Sequence, residues 1–310
     1  MINLKDIVVL ILMIIQFMIK IIYIIMSYYI IIHGGCGSLI ENKNLEKEIK
    51  KELKDIIIVG ENLLKNNSNS RKVGVKCIQL LEDCEYFNAG KGAVYNKEKK
   101  HQLDCTAMDG KSNTYVGLGN IKNVKNPIIL ANKMFTHYPN TIIVGNNTTK
   151  LAKKFNLKIV NNSYYDSKYS KIHNEVKYST VGIVVMDKKG NIFCANSTGG
   201  LEGKPVDRIS GSAFILSDVY CNNNFGGISC SGKGEVMTKY GCGLDIINRM
   251  KYKNISMNKA MNELINELPN KTAGFIGIDK KNKTICCKYN TTNFFRSYTS
   301  SELKNIITKI

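Results

Sequence analysis

Thr180 stands where a polar, Lys- and Asn-rich stretch, Asn161 to Ser179, meets an apolar run, Val181-Gly-Ile-Val-Val-Met186. If the chain is cut ahead of it, Thr180 carries a free α-amine beside its own hydroxyl, so one residue supplies both nucleophile and base. An α-amine titrates at about 7.7 to 8.0, near the pH where a general base is most effective, and it needs no His partner. Branching at Cβ restricts χ1 and orients the hydroxyl. The cut uses the same chemistry: the Thr180 hydroxyl attacks the Ser179 carbonyl, an ester replaces the amide, and water releases the new amino terminus. Local strain at that peptide would lower the barrier.

Further polar groups sit at the ends of apolar runs: Asn88-Ala-Gly90, Met108-Asp-Gly110, Ser197-Thr-Gly-Gly200, Arg208 with Ser212, and Cys230-Ser-Gly-Lys-Gly-Glu235. Something must gather them. Thr180 to Met186 and Asn191 to Asn196 read as a hairpin turning at Asp187-Lys-Lys-Gly190, which returns Thr198 to the side of Thr180. Tyr28 to Ile32 reads as a buried strand ending in a loop, His33-Gly-Gly-Cys-Gly37, whose glycines permit strained or closely approached backbone. Strands are also predicted at Thr141 to Val144, Gly211 to Leu216, Gly227 to Cys230, Ala273 to Ile278 and Thr284 to Tyr289. Leu103 to Ser112 is extended and closes on a turn. Helical periodicity covers Leu45 to Leu64, Val73 to Leu81, Lys150 to Phe155, Glu235 to Met250 and Asn258 to Leu268. Asn126-Pro127 opens a further helix as cap and first-turn proline. Strands alternating with grouped helices imply packed layers, and Asn161 to Ser179 reads as a linker.

The chain has 310 residues, 44% of them apolar, which suits a single large domain over residues 30–310. Its formal charge of +19 comes from Lys spread along the chain, without an Arg-rich helix or interleaved aromatics, so it reads as solvated surface and not as a nucleic-acid site. Ten cysteines show no CxxC pair and no His at zinc spacing. They read as buried thiols, which favours a reducing compartment and speaks against a structural metal. Residues 1–29 pull the other way, because Ile7 to Met26 is apolar apart from Gln16 and Lys20. That segment is either a signal anchor, giving a membrane or secretory location through residues 7–26, or an extension on a cytoplasmic protein.

Taken in order with His33-Gly-Gly35, the polar motifs resemble those of the plant-type asparaginase family of N-terminal-nucleophile (Ntn) hydrolases. That family includes L-asparaginases, isoaspartyl peptidases, glycosylasparaginases and the threonine aspartases called taspases. The resemblance covers nearly the whole chain after Tyr29. It implies an α+β fold, a four-layer αββα sandwich, made as a precursor that cuts itself at Ser179-Thr180 into 1–179 and 180–310. It also implies a dimer of the cleaved heterodimers. By the same resemblance Thr198 orients the nucleophile, and the Ser231 hydroxyl with the Gly232 N–H forms an oxyanion hole, where loss of one donor costs about 2 to 4 kcal/mol. Arg208, whose planar fork suits a carboxylate, grips the substrate together with Gly234. The 81–88 loop corresponds to one that holds sodium in several members through main-chain carbonyls, here those of Leu81, Glu82, Phe87 and Asn88. No other cofactor is implied. Asn88 and Asp109 also suit plain turn roles.

The asparaginase and isoaspartyl peptidase branch carries an Asp three residues after this Arg, where it binds the substrate's free α-amine. This chain has Gly211 there. The taspase branch lacks that Asp too, because its substrate is internal to a protein. Met108-Asp-Gly-Lys-Ser112 and Ser231-Gly232 also resemble taspase forms, and Lys43 is a candidate for the taspase lysine that meets an acidic side chain. The resemblance therefore points to a taspase-like threonine endopeptidase cutting proteins after Asp. The alternative is an L-asparaginase or β-aspartyl dipeptidase; a third reading is a membrane-tethered, inactive homologue that acts by binding and stays uncut. Ser179 departs from the Gly or Asp that usually precedes the Thr, which predicts slow self-cleavage.

Overall fold

The computed structural model describes residues 9, 11–13, 27–37, 42–167 and 180–310. Ser179, most of the apolar segment 7–26 and the end of the expected linker lie outside the described residues. Among the described residues no helix is long and apolar enough to cross a membrane.

In chain order the first half forms β1 (Tyr29–Gly37), α1 (Lys43–Lys65), α2 (Ser70–Asp83), β2 (Leu103–Asp109), β3 (Thr114–Ile121), α3 (Pro127–His137), β4 (Thr141–Val144) and α4 (Asn146–Lys154). The second half forms β5 (Val181–Met186), β6 (Ile192–Thr198), β7 (Val219–Asn222), β8 (Gly226–Gly232), α5 (Gly234–Tyr240), α6 (Cys242–Lys253) and α7 (Met257–Glu267). It ends with β9 (Ala273–Asp279), β10 (Thr284–Tyr289), β11 (Asn293–Ser300) and β12 (Ile307–Lys309). Eight strands make one sheet in the order β12-β11-β1-β5-β6-β2-β3-β4, and four make a second, β10-β9-β8-β7. The chain is thus a mixed α+β fold.

Strand pleating explains how the layers stack. Ile30 and Ile32 of β1 and Val181, Ile183 and Val185 of β5 face a core shared with Ile49, Leu53 and Ile57 of α1 and with Val73 and Ile78 of α2. The alternate residues, Tyr29, Ile31, Val184 and Met186, face a second core with Val219, Ile276 and Ile278 of the smaller sheet. On the far side of that sheet Ile228 and Cys230 meet Ile246 and Met250 of α6 and Met261 and Leu264 of α7. Apolar side chains on both faces make β1 and β5 read as continuous apolar runs. A slip of one residue would exchange the two faces of β5, so burial on both sides holds Thr180 in register.

Several expectations change. The His33–Gly37 segment is not a loop: β1 runs through it with a bulge between His33 and Gly35, paired to β11 on one side and β5 on the other. Glu235 to Met250 is two helices, broken where Gly241 adopts φ +57°. Gly211 to Leu216 is not a strand but a short 3-10 turn, because Ser210 N–H donates to Asp104 and Ser212 and Ser217 donate to Asp218, folding the segment on itself. Asn126 occupies the cap position of α3 but sends its amide to Asp83, while the Glu82 carboxylate receives the Ile128 N–H. All ten cysteines are free thiols.

Candidate active site

Thr180 precedes β5 and Thr198 ends β6. The β5–β6 hairpin pairs Val181 with Ser197 and Gly182 with Asn196, so the same register carried one step further sets Thr198 opposite Thr180. Both residues share the parity of Gly182, Val184 and Asn196, which face the space between the sheets. They line a recess there with Gly200, Leu201, Arg208, Ser210, Ser212, Asp218, Gly232 and Gly234. Among the described residues the recess measures only ≈ 10 Å³, room for about one water molecule.

β8 reaches the same point from the second sheet. Because Ile228 and Cys230 face the helices, Ser229 and Ser231 face the first sheet. Ser231 Oγ accepts the Cys36 N–H at 3.2 Å and its hydroxyl also meets the Cys36 thiol; Gly232 lines the recess and Ser231 does not. Gly232 takes φ +151°, and a Cβ on it would stand 2.0 Å from the Thr272 carbonyl oxygen, so only glycine fits.

A buried polar chain ties the two sheets together behind Thr180. Asn196 Nδ2 donates to the Cys230 carbonyl at 2.7 Å, which turns its Oδ1 toward Ser229; Ser229 Oγ donates to that oxygen at 2.5 Å. Having spent its only proton, the Ser229 hydroxyl accepts from His33 Nε2 at 2.9 Å. His33 is therefore the neutral Nε2–H tautomer. Burial pushes its pKa down to about 3, against a smaller opposing pull from the Thr180 backbone.

Arg208 and Gly234 form the opposite wall. The guanidinium bonds Glu235 Oε1 through Nη2 at 2.6 Å, while Nη1 is buried and has no partner among the described residues. A Cβ on Gly234 would lie 3.1 Å from Arg208 Nη2 and 3.1 Å from the Gly211 nitrogen, so a larger residue there would press on the arginine. Lys43 opens α1, is exposed, and does not line the recess. Asp109 serves a turn, accepting the Lys111 N–H at 2.9 Å.

The end of α2 and the 84–92 segment after it brace the neighbours of Thr198 from the other face of β6. Asn88 accepts the Val94 N–H and donates to the Gly200 carbonyl at 2.7 Å, pinning the turn that follows Thr198. Glu82 is fully buried and accepts from Ser197 Oγ at 2.8 Å and from Ile128 N–H at 3.1 Å. Burial raises its pKa to about 8 from 4.5, so it is held as the neutral acid. The sign follows: between pH 4.5 and about 8 an unfolded chain loses this proton and the folded chain keeps it, so stability falls as pH rises through that window. Glu82→Gln is expected to remove that decline, read as melting temperature against pH for parent and variant; parallel curves would refute it.

Three side chains here carry no signal in the sequence. Glu82 entered only through its main-chain carbonyl, and Lys204 belongs to no motif, yet Lys204 is buried with Nζ donating to the Gln102 carbonyl at 2.6 Å. Asp218 sits in the recess wall with no motif to mark it.

The protein-family model described as "Asparaginase" matches residues 26–175 and 165–308. The isoaspartyl peptidase of Escherichia coli is 27% identical over 295 residues, covering 87% of this chain and 92% of that protein. The isoaspartyl peptidase/L-asparaginase of Xenopus laevis is 30% identical over 227 residues, 69% of this chain and 73% of that protein. A probable isoaspartyl peptidase/L-asparaginase of Arabidopsis thaliana is 27% identical over 87% of this chain and 95% of its own length.

Proposed function

The chain belongs to the asparaginase family, a family of amide-bond hydrolases, and from that premise we propose that it is an N-terminal-threonine amidohydrolase acting on L-asparagine and β-aspartyl dipeptides. The helix–sheet–sheet–helix stacking is then the αββα sandwich of Ntn hydrolases, and self-cleavage between Ser179 and Thr180 matures it. The observation that carries the reading is the shared recess of Thr180, Thr198, Gly232 and Arg208, with Arg208 Nη1 buried and unpartnered among the described residues. A buried donor of full charge is costly to leave unmet, so it fits an incoming carboxylate. The names of the relatives support small aspartyl substrates over the taspase-like reading.

In this mechanism Arg208 takes the substrate's free carboxylate and sets the side-chain amide over Thr180. Oγ1 attacks the amide carbon while the α-amine accepts the hydroxyl proton. Negative charge on the carbonyl oxygen is met by the Ser231 hydroxyl and the Gly232 N–H, and Thr198 orients Oγ1. The amine passes the proton to the departing nitrogen, leaving an ester on Thr180. Water, deprotonated by the same amine, attacks the ester, releases aspartate and restores Thr180.

The Glu82 carbonyl packs against Gly90, and the Glu85 and Phe87 carbonyls pack against Gly92, so the loop carries main-chain oxygens of the kind that bind a monovalent cation such as sodium; of the four expected ligands, Glu82 and Phe87 are among these and Leu81 and Asn88 are not. Such an ion would stiffen the loop behind Thr198 and take no part in the steps.

The test is to isolate the chain, sequence any fragment that starts at Thr180, and assay three substrates: L-asparagine, a β-aspartyl dipeptide and a peptide with an internal Asp. Cleaved protein that releases ammonia and the dipeptide's amine is expected. Cutting only the internal-Asp peptide would turn the reading to an endopeptidase, and a chain that stays whole and inert would leave a binding protein.

A further inference from the structure

Gly211 removes the carboxylate that would meet a free α-amine, yet the chain brings another to the same place. A Cβ on Gly211 would stand 2.5 Å from Asp218 Oδ1 and 2.7 Å from Ser217 Oγ. The volume a side chain at 211 would enter is already filled by the Asp218 carboxylate. That carboxylate lines the recess with Thr180 and Arg208 and is 3% exposed. It accepts from Ser212 Oγ at 2.6 Å and from Ser217 Oγ at 2.9 Å, and it forms no ion pair among the described residues. A buried anion held by neutral hydroxyls is unfavourable, and here burial pushes its pKa up to about 6 against smaller opposing pulls from the two serines and from Arg208. A cation arriving with the ligand would relieve it.

Resting on the amidohydrolase reading, we propose that Asp218 holds the substrate's α-ammonium, doing from position 218 what an Asp at 211 would do. Arg208 and Asp218 then offer one cation and one anion to the two charges of a single amino-acid zwitterion. The substrate class is a free α-amino acid carrying a β-amide, and an aspartyl residue inside a protein, which has no ammonium, is disfavoured. The exchange is reciprocal: Asp at 211 and Asp at 218 would overlap and repel, so the site takes one or the other.

The experiment compares L-asparagine with succinamic acid, the same amide lacking the α-amine, in the full-length parent, Asp218→Asn, Gly211→Asp and the double variant Gly211→Asp with Asp218→Gly. The parent should favour asparagine in kcat/KM by at least about tenfold, the worth of a charge-assisted hydrogen bond. Asp218→Asn should erase most of that preference, chiefly through KM. Gly211→Asp should impair both substrates, and the double variant should recover the preference. No preference in the parent, a proportional loss on both substrates in Asp218→Asn, or a double variant no more selective than Asp218→Asn would overturn the assignment. Should Asp218→Asn fail to fold, the parent and the double variant still decide it. If the parent turns over neither amide, the amidohydrolase reading falls, and this one with it.

Discussion

Thr180→Ala is expected to leave an uncut chain whose turnover of asparagine is lower by about 10⁴-fold or more, the scale of removing a covalent nucleophile. Thr198, Ser210 and Ser212 also bring hydroxyls to the recess, but none can replace it. A neutral hydroxyl needs a base, and among these residues only one that becomes an amino terminus carries its own. Loss of the hydroxyl also stops the reaction that would create that terminus, so the two defects arrive together. In the parent, kcat/KM should rise with pH along a limb at about 7.7 to 8.0, where the α-amine gives up its proton. A denaturing gel and an ammonia assay read both outcomes. A Thr180→Ala protein that folds as the parent does and keeps a hundredth of its rate would refute the assignment.

Gly182→Ala should do nearly as much damage without touching a reacting atom. Its Cβ would stand 2.1 Å from Ser229 Oγ, 2.2 Å from His33 Nε2 and 2.4 Å from Asn196 Oδ1. These three cannot step aside, because each is bonded to the next and the chain ends on the Cys230 carbonyl, one residue before Ser231. Overpacking together with a broken buried polar chain is worth about 3 kcal/mol or more. The strand start bearing Thr180 and the strand end bearing Ser231 should then separate, cutting self-cleavage as well as stability. A Gly182→Ala protein melting within about 2 °C of the parent, a shift worth about 1.3 kcal/mol or less in a chain this long, would contradict the account.

The reading of the chain succeeded where the information is local. Thr180-Val-Gly182 joins a polar boundary to a period-two apolar run, and pleating alone sends Thr180 and Thr198 to one face. The breaks came where partners are distant. Polar β11 gave no strand signal because its pairing with β1 is what makes it a strand. Glu82 lies on a helix whose neighbours look solvated, and only the packing of α3 against that helix end buries it.

Gly211 shows the difference most sharply. The order of residues along the chain offers Thr180, Arg208, Ser231 and Gly232 as candidates for nucleophile, carboxylate grip and oxyanion pair, and puts a residue without a side chain three past the arginine. What fills that space emerges with folding, since a turn held by Ser212 and Ser217 carries Asp218 back across Gly211. Charge acts through space and not along the chain, so a carboxylate lost at one position and supplied at another looks in sequence like a loss.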